Sequence, residues 1–244
     1  MIPNIDFLSG LNDQQKQAVT AELGHVLVLA GPGSGKTRVL THRIAYLITQ
    51  MYLPPSNILA VTFTNKAARV MENRLENLLG QKPEDIWLGT FHSICARILR
   101  REAEHLGFTS NFVIYDDDDQ QSLIKTAIRE MNIDEKMFRP ASIRSVISAA
   151  KNNMQTPDDL TSRTYREEVN LRVYRRYQEL LRASNALDFD DLLNEVVNLF
   201  ASNPAVRDRY SRRFREVLVD EFQDTNTAQY QILRHLGITG NSLF

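Results

Sequence analysis

The sequence predicts an α/β fold, a parallel sheet flanked by helices with an all-α block inserted into it, and three observations carry that reading. Short apolar segments alternate with helical patterns in the first part of the chain. A glycine-rich loop, Gly31–Gly35, joins the first of these segments to the first long helical pattern. Much later another apolar segment ends in two adjacent acids, Asp220 and Glu221.

Four segments rich in Val, Ile, Leu and Phe read as strands: His25–Ala30, Ile58–Phe63, Ile86–Thr90 and Glu216–Asp220. Near-continuous apolar runs of this length suit strands covered on both faces, as in a parallel sheet. Between the first three lie Lys36–Thr49 and Ala67–Leu79, whose apolar residues recur at spacings of three and four and so predict helices. From Ser110 to Ala186 the alternation stops. Gln120–Met131, Pro140–Lys151 and Tyr165–Ala183 are helical patterns, and no strand is expected among them. The expected division is therefore 1–109, the helical block 110–186, and 187–244. The last stretch runs from Glu216–Asp220 through a helical pattern, Thr227–Leu236, then Gly237 and Gly240, to Asn241–Phe244, which reads as the opening of another strand.

Composition excludes several classes. With 244 residues, 43% hydrophobic and 24% charged, the chain has globular averages, so a disordered tail, a collagen-like fibre and a disulfide-stapled peptide are all ruled out. A formal net charge of −1 excludes a protein held on nucleic acid by bulk charge and leaves room only for a local basic groove. Arg172, Arg175, Arg176 and Arg182 recur at helical spacing, which leaves two readings open: a solvated helix face, or contact with phosphates. Cys95 is alone, so no internal disulfide forms, and with it the five histidines assemble no zinc constellation. Neither a signal peptide nor an apolar membrane span is evident, so a cytoplasmic protein without a membrane partner is expected.

The sharpest chemistry lies in Ala30-Gly31-Pro32-Gly33-Ser34-Gly35-Lys36-Thr37, placed between a strand and a helix as a phosphate-binding P-loop requires. Glycines let successive backbone N–H groups turn toward one anion, Lys36 brings a positive charge to the β and γ phosphates, and the Thr37 hydroxyl can ligate Mg²⁺. Ala30 stands where the general pattern has glycine, which is tolerated if the strand end needs no positive φ. Such a loop needs a carboxylate for the metal on a neighbouring strand. Asp220 supplies it, and Glu221 beside it can polarise the attacking water. Together these residues imply ATP and Mg²⁺ as cofactors and ATP hydrolysis as the reaction.

Six motifs now occur in order: LNxxQ at Leu11–Gln15, AGPGSGKT at Ala30–Thr37, VTFTNKAA at Val61–Ala68, GTFHS at Gly89–Ser93, LDFDDL at Leu187–Leu192 and VDEFQDTN at Val219–Asn226. In this set the chain resembles the superfamily 1 DNA helicases of the UvrD, Rep and PcrA type, from Leu11 to its last residue. The resemblance implies a RecA-like P-loop motor domain, movement 3′ to 5′ on single-stranded DNA, and single strands and single-/double-strand junctions as partners. It gives Gln15 the edge of the adenine and Arg38 its ring face, roles that suit an amide and a planar guanidinium. Phe63, Thr64 and Asn65 would line the single-strand track, extended by Phe91 and His92, with Phe63 as a stacking face. Apart from the resemblance, Phe63 and Phe91 read as core residues, Thr64 as a helix N-cap, and Asn12 with Gln15 as a capping box.

Asp188, Asp190 and Asp191, like Asp116–Asp119, read as acids favoured at a helix start rather than as a metal cluster. The resemblance further implies a second motor half that brings arginines to the γ phosphate. On that ground the chain is expected to be the N-terminal portion of a longer helicase, monomeric and weakly active by itself. A non-hydrolysing module for ATP and single strands, and a motor subunit of a helicase-nuclease complex, are the alternatives.

Overall fold

The computed structural model describes residues 8–237 and 241–244; residues 1–7, where no leader is expected, and the turn expected through Gly240 lie outside them. In chain order the elements are α1 (Asp13–Val19), α2 (Lys36–Thr49), β1 (Ile58–Thr62), α3 (Asn65–Leu79), β2 (Trp87–Thr90), α4 (Phe91–Glu102), β3 (Val113–Tyr115), α5 (Asp117–Glu130), α6 (Pro140–Asn152), α7 (Tyr165–Ala183), β4 (Ala186–Asp188), α8 (Phe189–Ser202), α9 (Pro204–Arg213), β5 (Glu216–Val219), α10 (Thr227–Gly237) and β6 (Ser242–Leu243). They form two compact units. One takes the residues up to Ile94, Asn203–Thr225 and those from Leu233 onward; the other takes Cys95–Ser202 with Asn226–Ile232.

The first unit is built on a parallel sheet of order β2-β1-β5-β6. Leu59 pairs with Trp87 on one side and with Val217 on the other, and every residue of β1 and β5 is buried. Burial on both faces explains why these strands read as unbroken apolar runs. Ile44, Ala45 and Leu47 of α2 and Met71 and Leu75 of α3 pack with Ile58, Ala60 and Leu218 into one core. Trp87 packs edge-on against Phe214 and Tyr210, with ring centroids 5.1 and 6.2 Å away.

One charged pair is sealed inside this unit. Arg43 of α2 and Glu216 of β5 are both 0% exposed and meet through Nη2 and Oε1 at 3.2 Å. Arg43 Nη1 also donates to the carbonyls of Val19 (3.0 Å) and Ala21, which ties the segment after α1 to the sheet.

The expected first strand, His25–Ala30, is the main correction here. Only His25 makes a bridge, to Leu243, supported by Val26 N donating to Leu243 O at 2.8 Å. The neighbour is β6, and among the described residues no pairing continues past Val26. The apolar side chains selected for a sheet then face solvent: Leu27 is 71% and Leu29 86% exposed.

The second unit gathers Ile124 and Ile128 of α5, Ile143 and Ile147 of α6, and Val169, Val173 and Tyr177 of α7 into its own core. It is not all-α as expected. Strands β3 and β4 pair in parallel, Val113 with Ala186 and Tyr115 with Asp188. Three-residue strands are too short to show a period of two, and pairing across so long a separation leaves no local signal. Helix starts are capped as their sequences suggest. Asp116 accepts from Asp118 N and Asp119 N at α5, and Thr164 with Glu167 forms a capping box at α7. Along the arginine stripe of α7, Arg175 meets Asp158, Arg176 meets Glu130 and Glu179, Arg182 meets Glu195, and Arg172 is exposed.

Candidate functional site

The loop before α2 is shaped by two left-handed glycines, Gly33 at φ 74° and Gly35 at φ 87°, the latter serving as the N-cap of α2. Ser34 folds the loop on itself, its Oγ donating to Gly31 O at 2.7 Å and its N to the same oxygen at 3.3 Å. No side chain caps α2, so its first N–H groups remain open at the loop, the arrangement that receives an anion. Ala30 is not among the residues with positive φ, which is why it serves where the pattern has glycine.

Gln15 is held by a capping box with Asn12 and donates from Nε2 to Ser34 O at 2.9 Å. A Cβ on Gly35 would lie 3.1 Å from that nitrogen, and one on Gly10 would lie 3.0 Å from Arg38 Nη2. Gln15 and Arg38, the two expected adenine contacts, are thus packed against glycines beside the loop.

Strand β5 delivers the acids. Asp220 N continues the sheet by donating to Val61 O at 3.0 Å, and the Asp220 side chain meets the loop. Its Oδ2 accepts from Thr37 Oγ1 at 3.2 Å, while its Oδ1 is buried with no partner. Burial pushes the Asp220 carboxyl above its usual range; the Thr37 hydrogen bond opposes the rise, Glu221 adds to it and Lys36 works against it. Lys36 Nζ lies 3.4 Å from Ala30 O and 3.7 Å from Glu221 Oε2. A buried, orphaned carboxylate oxygen beside a threonine hydroxyl is a hard-oxygen donor pair, which fits Mg²⁺. Among the described residues no group of three or more His, Cys, Asp or Glu offers an alternative metal site.

The expected DNA-track residues lie at the carboxyl ends of β1 and β2, where Thr62 pairs with Thr90. Phe63 is half-buried, Thr64 and Asn65 are exposed and His92 is half-buried. Thr64 also N-caps α3, accepting from Ala67 N at 3.1 Å. Phe91 differs from its expected role. It is 2% exposed and packs 5.7 Å from the Phe63 ring, so it backs Phe63 rather than presenting a face of its own.

Sequence reasoning missed two features. Gln223 Nε2 donates to Glu221 Oε2 at 2.6 Å, and only its place in the DEFQD run hinted at it. In the second unit, Asp188 and Asp191, read as helix-start acids, enclose the Nζ of Lys151, a residue with no local signal at all.

A mixed α/β unit with a parallel sheet, a glycine loop at a helix N-terminus and an acidic strand tip facing it is consistent with a helicase motor domain. The family described as the UvrD/REP helicase N-terminal domain matches residues 11–244, and the chain belongs to that family. It is 49% identical over 231 residues to the ATP-dependent DNA helicase PcrA of Bacillus subtilis, covering 94% of this chain and 31% of that protein. It is 47% identical over 231 residues to the protein of that name from Staphylococcus aureus strain Mu50, with 94% and 32% covered. The chain thus spans about a third of the length of these relatives.

Proposed function

We propose that the chain is the ATP- and single-strand-binding first motor domain, RecA-like and of the P-loop type, of an ATP-dependent DNA helicase that moves 3′ to 5′. In this reading residues 1–109 and 187–244 form the motor domain and 110–186 its inserted subdomain. The single observation that carries it is the 3.2 Å contact between Thr37 Oγ1 and Asp220 Oδ2, which joins the loop and the acidic strand tip in one site.

Each residue then has a task. Backbone N–H groups of Gly33–Thr37 hold the phosphates, Lys36 meets their terminal charge, and Gln15 and Arg38 flank the adenine. Thr37 and Asp220 would hold Mg²⁺, which supplies charge neutralisation on the phosphates when bound. Glu221 orients the attacking water and takes its proton. Phe63, Thr64, Asn65 and His92 form the single-strand track, with strands and junctions as the partners. The site calls for a compartment rich in ATP, consistent with the cytoplasm, and no helix among the described residues is long and apolar enough to cross a membrane.

Titrating a fluorescent ATP analogue with Mg²⁺, with and without single-stranded DNA, tests the reading on wild type and Lys36→Ala. The expected result is binding by wild type and a loss of about tenfold or more in the variant. Equal binding by both removes the assignment. The chain by itself is expected to hydrolyse ATP slowly, because phosphoryl transfer without an arginine finger loses on the order of 10³ to 10⁵ in rate. DNA-stimulated turnover at helicase rates by these residues alone would contradict that.

A further inference from the structure

Glu221 sits directly after β5 in the left-handed region, at φ 53° and ψ 48°, a conformation uncommon for a residue with a side chain. It leads into a tight turn over Phe222–Asp224, closed by Asp224 N donating to Glu221 O at 2.9 Å and Thr225 N donating to Phe222 O at 3.2 Å. The turn brings the amide of Gln223 back over the Glu221 carboxylate. Two donors then share one oxygen: Gln223 Nε2 at 2.6 Å and Lys36 Nζ at 3.7 Å, both on Oε2. The other oxygen, Oε1, accepts no hydrogen bond from the described residues. Asp224 Oδ2, 3.5 Å from the same Nε2, steadies the amide from behind.

These two donors have different prospects once nucleotide arrives. Lys36 is the residue assigned to the terminal phosphates, and a single ammonium drawn to several phosphate charges leaves a lone carboxylate 3.7 Å away. Gln223 carries no charge and has no such competing call. We propose that Gln223 is a positioning residue for hydrolysis: its amide keeps hold of Glu221 Oε2 while Lys36 turns to the phosphates. Glu221 Oε1 is thereby left free to receive the proton of the attacking water. In that step the water oxygen bonds to the γ phosphorus, the bond from phosphorus to the β–γ bridging oxygen breaks with its electron pair leaving on ADP, and the water proton passes to Oε1. A neutral donor suits this task, because it fixes the carboxylate without the full loss of basicity that a bound cation imposes. The inference rests on the reading of this site as one that hydrolyses ATP.

The test is steady-state ATP hydrolysis by the complete gene product, with saturating Mg²⁺ and single-stranded DNA, comparing wild type with Gln223→Ala, Gln223→Glu and Glu221→Gln. Gln223 is exposed, so its truncation leaves the core untouched. Gln223→Ala is expected to lower kcat by about 10- to 100-fold and to leave KM for ATP within about twofold, the signature of a misplaced base rather than lost binding. Gln223→Glu replaces the donor with a carboxylate that repels Glu221 and is expected to lower kcat at least as far, again with KM for ATP within about twofold. Wild-type kcat in both Gln223 variants, beside an impaired Glu221→Gln, overturns the inference and leaves the site reading intact. A wild-type rate in Glu221→Gln overturns the site reading and the inference with it.

Discussion

Lys151 Nζ, on a side chain 1% exposed, lies 2.6 Å from Oδ2 of Asp188. A second carboxylate, Asp191, meets the same nitrogen at 2.7 Å, and Tyr177 Oη donates to Asp188 Oδ2 at 2.9 Å. The two aspartates also bind each other's backbone, Asp191 N donating to Asp188 Oδ1 at 2.8 Å and Asp188 N to Asp191 Oδ2 at 3.2 Å. Alongside, Asp190 accepts from Ser148 Oγ at 2.6 Å, and Asn226 Nδ2 donates to Asn152 Oδ1 at 3.1 Å. The start of α8 is thereby fastened to α6 and α7.

Lys151→Met is expected to destabilise the second unit by about 3 to 5 kcal/mol, since it leaves two buried carboxylates without their cation. Urea unfolding followed by circular dichroism measures it. A loss below about 1 kcal/mol would show that water, not Lys151, compensates the pair.

The two aspartates are not equivalent. Burial pushes the Asp191 carboxyl up to about 7, against the pull of Lys151, whereas Asp188 stays below its usual range because Lys151 and the hydrogen bonds to its carboxylate outweigh its burial. Asp191 is therefore raised above its ordinary 3.8, and its contribution to stability is full below that value and lost as pH rises through about 7. Asp191→Asn is expected to flatten the decline in melting temperature between pH 4 and pH 7 relative to wild type. At pH 7, Asp188→Asn is expected to cost more than Asp191→Asn, because the Asp188 carboxylate accepts from Lys151 Nζ, Tyr177 Oη and Asp191 N at 2.6, 2.9 and 2.8 Å. The reverse order would contradict the assignment.

These residues mark where sequence reading stops. Helices α2 and α7 fall on their expected bounds, since an amphipathic period and a capping box are local signals. The loop, Thr37, Asp220 and Glu221 were legible for the same reason, as types and spacings within short runs. Lys151 was not, because its meaning depends on carboxylates 37 and 40 positions away. Arg43 likewise sits on a helix that reads as apolar, and its partner Glu216 opens a strand. Strand His25–Ala30 erred in the opposite direction: its composition is that of a buried strand, but a ladder forms only where a neighbour supplies backbone, and composition does not report the neighbour.

His42 gives a test on the first unit. It is 8% exposed, and its Nδ1–H donates to Arg38 O at 2.9 Å. Burial holds its pKa below 6.5, and the nearby charges of Arg38 and Arg74 act in the same direction. A depressed histidine contributes stability above its unfolded value that is lost as pH falls through its folded value. Relative to wild type, His42→Gln should therefore gain in melting temperature as pH falls from 7.5 to 5. Parallel curves would place the histidine in solvent.

The loop glycines yield a graded series. Gly31 has no positive φ, and a Cβ there meets nothing within 4 Å; Gly33 has φ 74° but open space; Gly35 has φ 87° and Gln15 Nε2 at 3.1 Å. Gly31→Ala is expected to change stability by no more than about 0.5 kcal/mol. Gly33→Ala pays the left-handed penalty alone, about 1 kcal/mol. Gly35→Ala adds to that penalty a clash that must push Gln15 from Ser34 O, so it should cost more than Gly33→Ala and should also loosen the amide expected to read the adenine. Chemical denaturation gives the first ordering. Comparing ATP with GTP binding gives the second, because displacing Gln15 weakens the preference for adenine while leaving the phosphate contacts in place. Equal costs at all three positions would mean that neither the backbone conformation nor the Gln15 contact constrains the loop.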